Sequence, residues 1–236
     1  MEKAKVSKLI RHKKSSLAEK INVLRASVMG ANDGILSIAG IVIGVAGATS
    51  NSYAIFLAGI AGMLAGTVSM AMGEYVSVNS QRDMERRAVQ EEIELLDDHY
   101  DDEVDFVTQK YLKTGLKPEL AKKAVEEMMA KDALETTVRE RFGFDPKEHT
   151  SAVAAAIASM ISFPTGSILP LVAITLMPRD IRVIATVIAV IIALSLTGYA
   201  AAALGNANRA KAVIRNVISG SLTMLITYGI GSLFAR

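Results

Sequence analysis

The chain has 236 residues, 51% of them hydrophobic and 21% charged, with 26 basic side chains against 24 acidic ones and a mean hydropathy of +0.33. The apolar residues sit in long runs with the charges between them, a pattern of neither a soluble domain nor an all-membrane chain. Cysteine is absent, which excludes disulfides, thiolate zinc sites and thiol chemistry. The net charge of +2 hides an asymmetry: 19 of the 24 acids fall between Gln81 and His149, whereas the first 26 residues hold eight bases and two acids.

Residues 1–26 lack the apolar core of a signal peptide. Val6, Leu9, Ile10, Leu17, Ile21 and Leu24, with Lys and Arg around them, predict a basic amphipathic helix lying on an anionic membrane face. Nucleic-acid binding is a poor reading of this arm, because it runs directly into a span. Basic flanks stay on the cytoplasmic side, so the N-terminus is expected inside.

Residues 27–79 predict two transmembrane helices, about Ser27 to Ala48 and Tyr53 to Val78, joined at Asn51-Ser52. Each contains acid, and a carboxylate at hydrocarbon depth is costly, roughly 2.5–3.5 kcal/mol for Asp, so it marks a functional site by default. Asp33 and Met70 lie about equally far from the turn. Two antiparallel helices rising ~1.5 Å per residue then bring both to one depth, roughly 27 Å from it. Glu74 follows Met70 by one turn and shares its face. Two hard oxygens and a thioether suit a transition metal of intermediate softness better than Mg2+ or Ca2+. The bland alternative makes Asp33 a helix cap and Met70 packing. Glycines at 40, 44 and 47 and at 59, 62 and 66 permit close helix approach, and a tight homodimer is the simplest use for them.

Residues 80–149 are too polar for the bilayer and read as about three helices, split near Asp97–His99 and at Thr114-Gly115, with Pro118 starting the third. Glu91 and Glu94 share a helix face, and Asp102 and Asp105 repeat the spacing on the next stretch. Glu92 and Glu103 flank them, and Glu126, Glu127, Met128, Met129 and Asp132 gather carboxylates and thioethers within about two turns. Facing carboxylate helices hold divalent iron or manganese in bundles. The Glu-x-x-His signature of di-iron enzymes is missing, since Asp97 stands three residues after Glu94, and His99 has no partner histidine beside it. A solvated helix face is the competing reading of the acids.

Residues 150–236 predict three further spans, about Ala152 to Met177, Ile181 to Leu204 and Ala212 to Phe234. Pro164 and Pro170 fall inside the first of these, where they free backbone carbonyls and are expected to kink the helix and open a cavity. With the N-terminus inside, the acidic insertion and the basic loop Gly205 to Arg215 are cytoplasmic. The expected fold is therefore an all-α membrane protein with five transmembrane helices and a cytoplasmic helical metal-binding insertion between the second and third.

Three features together, ANDGILS in the first span, GTVSMAMGEYVSVNSQRDME at the end of the second, and an acidic insertion followed by three spans, resemble the vacuolar iron transporter family. The resemblance covers nearly the whole chain and points to a prokaryotic-type member. It implies a five-span homodimer, with the pore between subunits, that exports Fe2+ from the cytosol against protons and accepts Mn2+, Co2+ or Zn2+. It implies that Asp33 and Met70 line the path with Glu74 at its cytoplasmic mouth. Glu91, Glu94, Asp102, Asp105, Met128, Met129 and Asp132 become insertion ligands, with Glu92, Glu103 and Glu127 as possible additions. Three of these positions carry Asp where the family usually has Glu. The expectation is a secondary transporter rather than an enzyme, in a prokaryotic plasma membrane, with lipid, metal ions and protons as partners and no prosthetic group. The alternative is a membrane-anchored metal-binding or di-metal redox protein without a pore.

Overall fold

The computed structural model describes residues 17–148 and 150–235, and every regular element among them is a helix. In chain order these are α1 Leu17–Ala48, α2 Ser52–Asp98, α3 Tyr100–Lys113, α4 Pro118–Phe142, α5 Ala152–Leu176, α6 Arg182–Leu204 and α7 Arg209–Leu233. Five of them, α1, α2, α5, α6 and α7, are long and apolar enough to cross a membrane. The chain divides into two units. One holds Ile21–Ser77 and the residues from Ala152 onward, and the other holds Val78–Ser151 with the described residues up to Lys20.

Two helix boundaries differ from expectation. Residues 17–26 do not form a separate amphipathic helix but the first turns of α1, while residues 1–16 of the predicted basic arm lie outside the described part. The second helix does not stop near Val78 but runs on to Asp98, 47 residues in all. No proline interrupts that stretch, and the composition changes from apolar to charged without any loss of helix propensity.

In the spanning unit, Ile35, Ile38, Ala39, Val42 and Ile43 of α1 form the centre of the core. They pack with Ile55, Leu171, Ile174, Val190, Leu194 and Met224 from the other four spans. Helices in lipid gain little from apolar burial against one another, so close packing and polar contacts hold them together. A Cβ on Gly166 of α5 would strike the Ala31 carbonyl oxygen, and one on Gly231 of α7 would strike that of Gly44. Ser167 adds a polar tie, donating to the Phe163 carbonyl at 2.8 Å and approaching the Gly34 carbonyl at 3.3 Å.

This packing corrects the use expected for the glycines. Gly40, Gly44 and Gly47 face Thr223, Thr227, Tyr228 and Ser232 of α7, and Gly59, Gly62 and Gly66 face Leu171, Ile41, Val42 and Phe163. Both stripes are occupied within one chain, so they supply no argument for a dimer. The α5 helix continues through Pro164 and Pro170 as one element.

In the insertion unit, Val107 of α3 and Val125 and Met129 of α4 form a small core, covered by Leu96, Val104, Phe106, Tyr111, Met128 and Ala133. The breaks fall where the turn residues put them. His99 leaves the helical region, Gly115 takes φ +93° in the second turn, and Pro118 opens α4. One break was not expected. Asp132 is extended inside α4 (φ −163°, ψ 94°), and its Oδ1 accepts the Glu135 N–H at 2.9 Å, capping the helix as it resumes.

Candidate functional site: a polar groove between the first two spans

Along α1, Arg25, Met29, Asp33 and Ser37 recur every four residues, so their side chains form one stripe. Facing them on α2 are Gly66, Ser69, Met70, Gly73, Glu74 and Ser77, and the two rows enclose a groove of about 400 Å3. Glycine and serine on the α2 side leave the space open, and the Phe163 ring, which fills the room a Gly66 side chain would need, forms its floor. Phe163 is the only α5 residue in the lining.

The three residues predicted for a path all line this groove. Asp33 is half-buried, and its Oδ1 accepts a hydrogen bond from Ser37 Oγ at 2.8 Å. It lies deep within α1, so the reading of Asp33 as an N-terminal cap is wrong. Met70 is half-buried beside it, and Glu74 is only 6% exposed. The residue that sequence reasoning missed is Arg25. Its Nη2 donates to Glu74 Oε2 at 2.9 Å and its Nη1 to Oε1 at 3.4 Å, so the carboxylate is gripped by both prongs. Its four-residue spacing from Met29 and eight-residue spacing from Asp33 are the signal that could have found it. Its position among basic tail residues concealed it.

In the insertion unit the predicted ligands are spread over different environments. Glu91, Glu94, Asp102, Asp105 and Glu127 are exposed. Gln90 donates to Glu94 at 3.3 Å, and His99 Nδ1 lies 3.8 Å from Asp102. Met129 belongs to the apolar core, and Met128 packs against it with Tyr111 Oη 3.7 Å from its sulfur. Asp132 is held by Lys147 Nζ at 2.6 Å, and that hydrogen bond keeps its carboxyl below the usual carboxylate range. Among the described residues, no three His, Asp or Glu side chains converge where they could hold a metal ion.

The two flanking acids have a structural role. Glu92 is fully buried and Glu103 nearly so. Arg141 pairs with both, its Nε lying 2.9 Å from Glu92 Oε2, and its guanidinium stacks 4.1 Å above the Phe106 ring. One cation thus joins carboxylates from α2 and α3 to α4. Burial raises the Glu92 carboxyl above its ordinary value, and neighbouring Glu103 adds to the rise, against the pull of Thr137 and Arg141.

Five apolar helices and a carboxylate–thioether groove between two of them define an integral membrane protein of the helical, polytopic class. A family model described as the VIT family matches residues 24–232. The chain belongs to that family. It is similar to the vacuolar iron transporter of Acanthamoeba castellanii, 34% identical over 89% of this chain and 78% of the relative. It is also similar to vacuolar iron transporter homolog 2 of Arabidopsis thaliana, 33% identical over 89% and 83%, and to vacuolar iron transporter homolog 2 of Oryza sativa subsp. japonica, 32% identical over 90% of each.

Proposed function

We propose that this protein is a secondary carrier, not an enzyme, that moves Fe2+, and with it Mn2+, Co2+ and Zn2+, out of the cytosol in exchange for protons. The observation that carries the reading is the convergence of Asp33, Met70 and Glu74 on one groove between two spans. The names of the relatives support iron as cargo. Carboxylate and thioether donors together favour a borderline metal over Ca2+. Exchange follows from charge, because a carboxylate site holds either a proton or a cation and each disfavours the other.

A single groove offers one Asp33 carboxylate and one Met70 thioether, few donors for a transition metal. A second copy presenting the same pair would complete the site, which supports a homodimer with the path between subunits. In this reading the N-terminus and the insertion are cytoplasmic and the membrane is a prokaryotic plasma membrane. The exposed Glu91, Glu94, Asp102 and Asp105 collect metal from the cytosol, and Asp132 joins them once Lys147 lets go.

The test is uptake into proteoliposomes loaded with a metal-quenched dye, with Fe2+, Mn2+, Zn2+ and Ca2+ compared with and without a pH gradient. Gradient-dependent quenching by Fe2+ and Mn2+ but no Ca2+ entry is expected. Metal entry indifferent to the gradient would remove the exchange, and no entry would remove the carrier.

A further inference from the structure

Among the described residues of the groove, Arg25 is the only cation, and nothing in a metal pathway calls for one. A guanidinium stays charged at any working pH and repels an incoming metal ion. Yet it is held firmly, with both prongs on Glu74, a further donation to Asn22 Oδ1 at 3.1 Å and a contact with Met29 Sδ at 3.2 Å. The groove therefore contains a carboxylate that is 6% exposed and already neutralised by a positive charge from the facing helix. Arg25 itself is 45% exposed at its side chain, so within the chain it has room to swing away from Glu74. A buried carboxylate tolerates the loss of one cation only if another cation or a proton replaces it.

We propose that Arg25 is a tethered counter-cation that occupies Glu74 in the metal-free groove, and that a divalent ion gains Glu74 by displacing the guanidinium. This rests on the reading of the groove as a metal path and adds a residue that sets its affinity. The tether neutralises Glu74 when no metal is bound and weakens metal binding, so that a captured ion can leave again. Competition for one carboxylate makes a specific claim: removing Arg25 tightens metal binding, whereas removing an ordinary structural ion pair would weaken it or leave it unchanged.

The experiment is a double-mutant cycle on the full-length protein in detergent, with Mn2+ as the probe and binding followed by calorimetry and by the loss of free Mn2+ signal in electron paramagnetic resonance. Arg25→Gln should tighten Mn2+ binding by about tenfold, within the usual range of coupling between two ligands of one site. Glu74→Gln should weaken it, and Arg25→Gln should have no further effect in that background. Arg25→Lys, which keeps the charge but offers one prong in place of two, should tighten binding by roughly two- to threefold, and it decides the matter if Arg25→Gln does not fold. Unchanged or weaker binding in Arg25→Gln, or in Arg25→Lys where only that variant folds, would overturn the proposal. So would an equal tightening with and without Glu74. Binding is read here without transport, so a wild-type protein that binds Mn2+ but fails to carry it would sink the carrier reading and leave the Arg25 result standing on its own.

Discussion

Arg25 on α1 and Glu74 on α2 form a two-pronged ion pair, 2.9 Å between Nη2 and Oε2, across the groove that also contains Asp33 and Met70. The pair ties α1 to α2 across the groove. Its position defines which end of the groove is guarded by a cation and which is left to Asp33.

The insertion should depend on Arg141 more than on any bound metal. Arg141→Ala leaves fully buried Glu92 and nearly buried Glu103 without their cation. Breaking a buried pair in this way costs about 3–5 kcal/mol. Thermal unfolding of the full-length variant, followed by helical circular dichroism, should show an early transition absent from the wild type.

Glu92→Gln should do the opposite at neutral pH. The folded carboxyl titrates above its ordinary value of 4.5 because burial disfavours its charge. The folded state therefore binds more protons than the unfolded one as pH rises from about 4.5 through the raised value, and stability falls across that window. The Gln variant escapes the fall. Its melting temperature should exceed that of the wild type at pH 7, with the gap closing towards pH 4.5.

Chelation should leave the insertion folded. Its core of Val107, Val125 and Met129 is held by apolar contacts, and Arg141 ties the helices through ion pairs. Far-ultraviolet circular dichroism and amide exchange of the full-length protein with and without EDTA should coincide. A large loss of protection in α3 and α4 on chelation would contradict this.

Gly231→Val should destabilise the spanning unit, because its Cβ would meet the Gly44 carbonyl oxygen of α1 and neither backbone can yield easily. Overpacking of this kind costs typically 1–3 kcal/mol, and detergent-solubilised protein should melt correspondingly earlier. Gly73→Ala, where a Cβ meets nothing within 4 Å, is the matched control and should melt like the wild type.

Much of this architecture is legible in the residues. Five spans follow from apolar run length, and the turns at His99, Gly115 and Pro118 follow from local chemistry. Asp33, Met70 and Glu74 meet because helical rise is regular and the turn at Asn51 sets the register. What sequence reading misplaced depends on which face of a helix meets which neighbour. Periodicity shows that Gly40 and Gly44 share a face but not that α7 covers it. The Asp132 break is visible in retrospect as Asp132-x-x-Glu135, a helix-start pattern inside an otherwise continuous helical run. Arg25 falls among the charges of the basic arm and Arg141 is not singled out by any motif, because a cation's partner across a fold leaves no mark in the local sequence.

The most direct test of the central claim, that cation and proton compete for the Asp33 groove, is pH-gradient-driven Mn2+ uptake by Asp33→Ala in proteoliposomes, at protein densities and folded fractions matched to the wild type. The account predicts that uptake falls to the level of empty vesicles while the thermal melt and oligomeric state stay those of the wild type. Uptake by Asp33→Ala at the wild-type rate would contradict it.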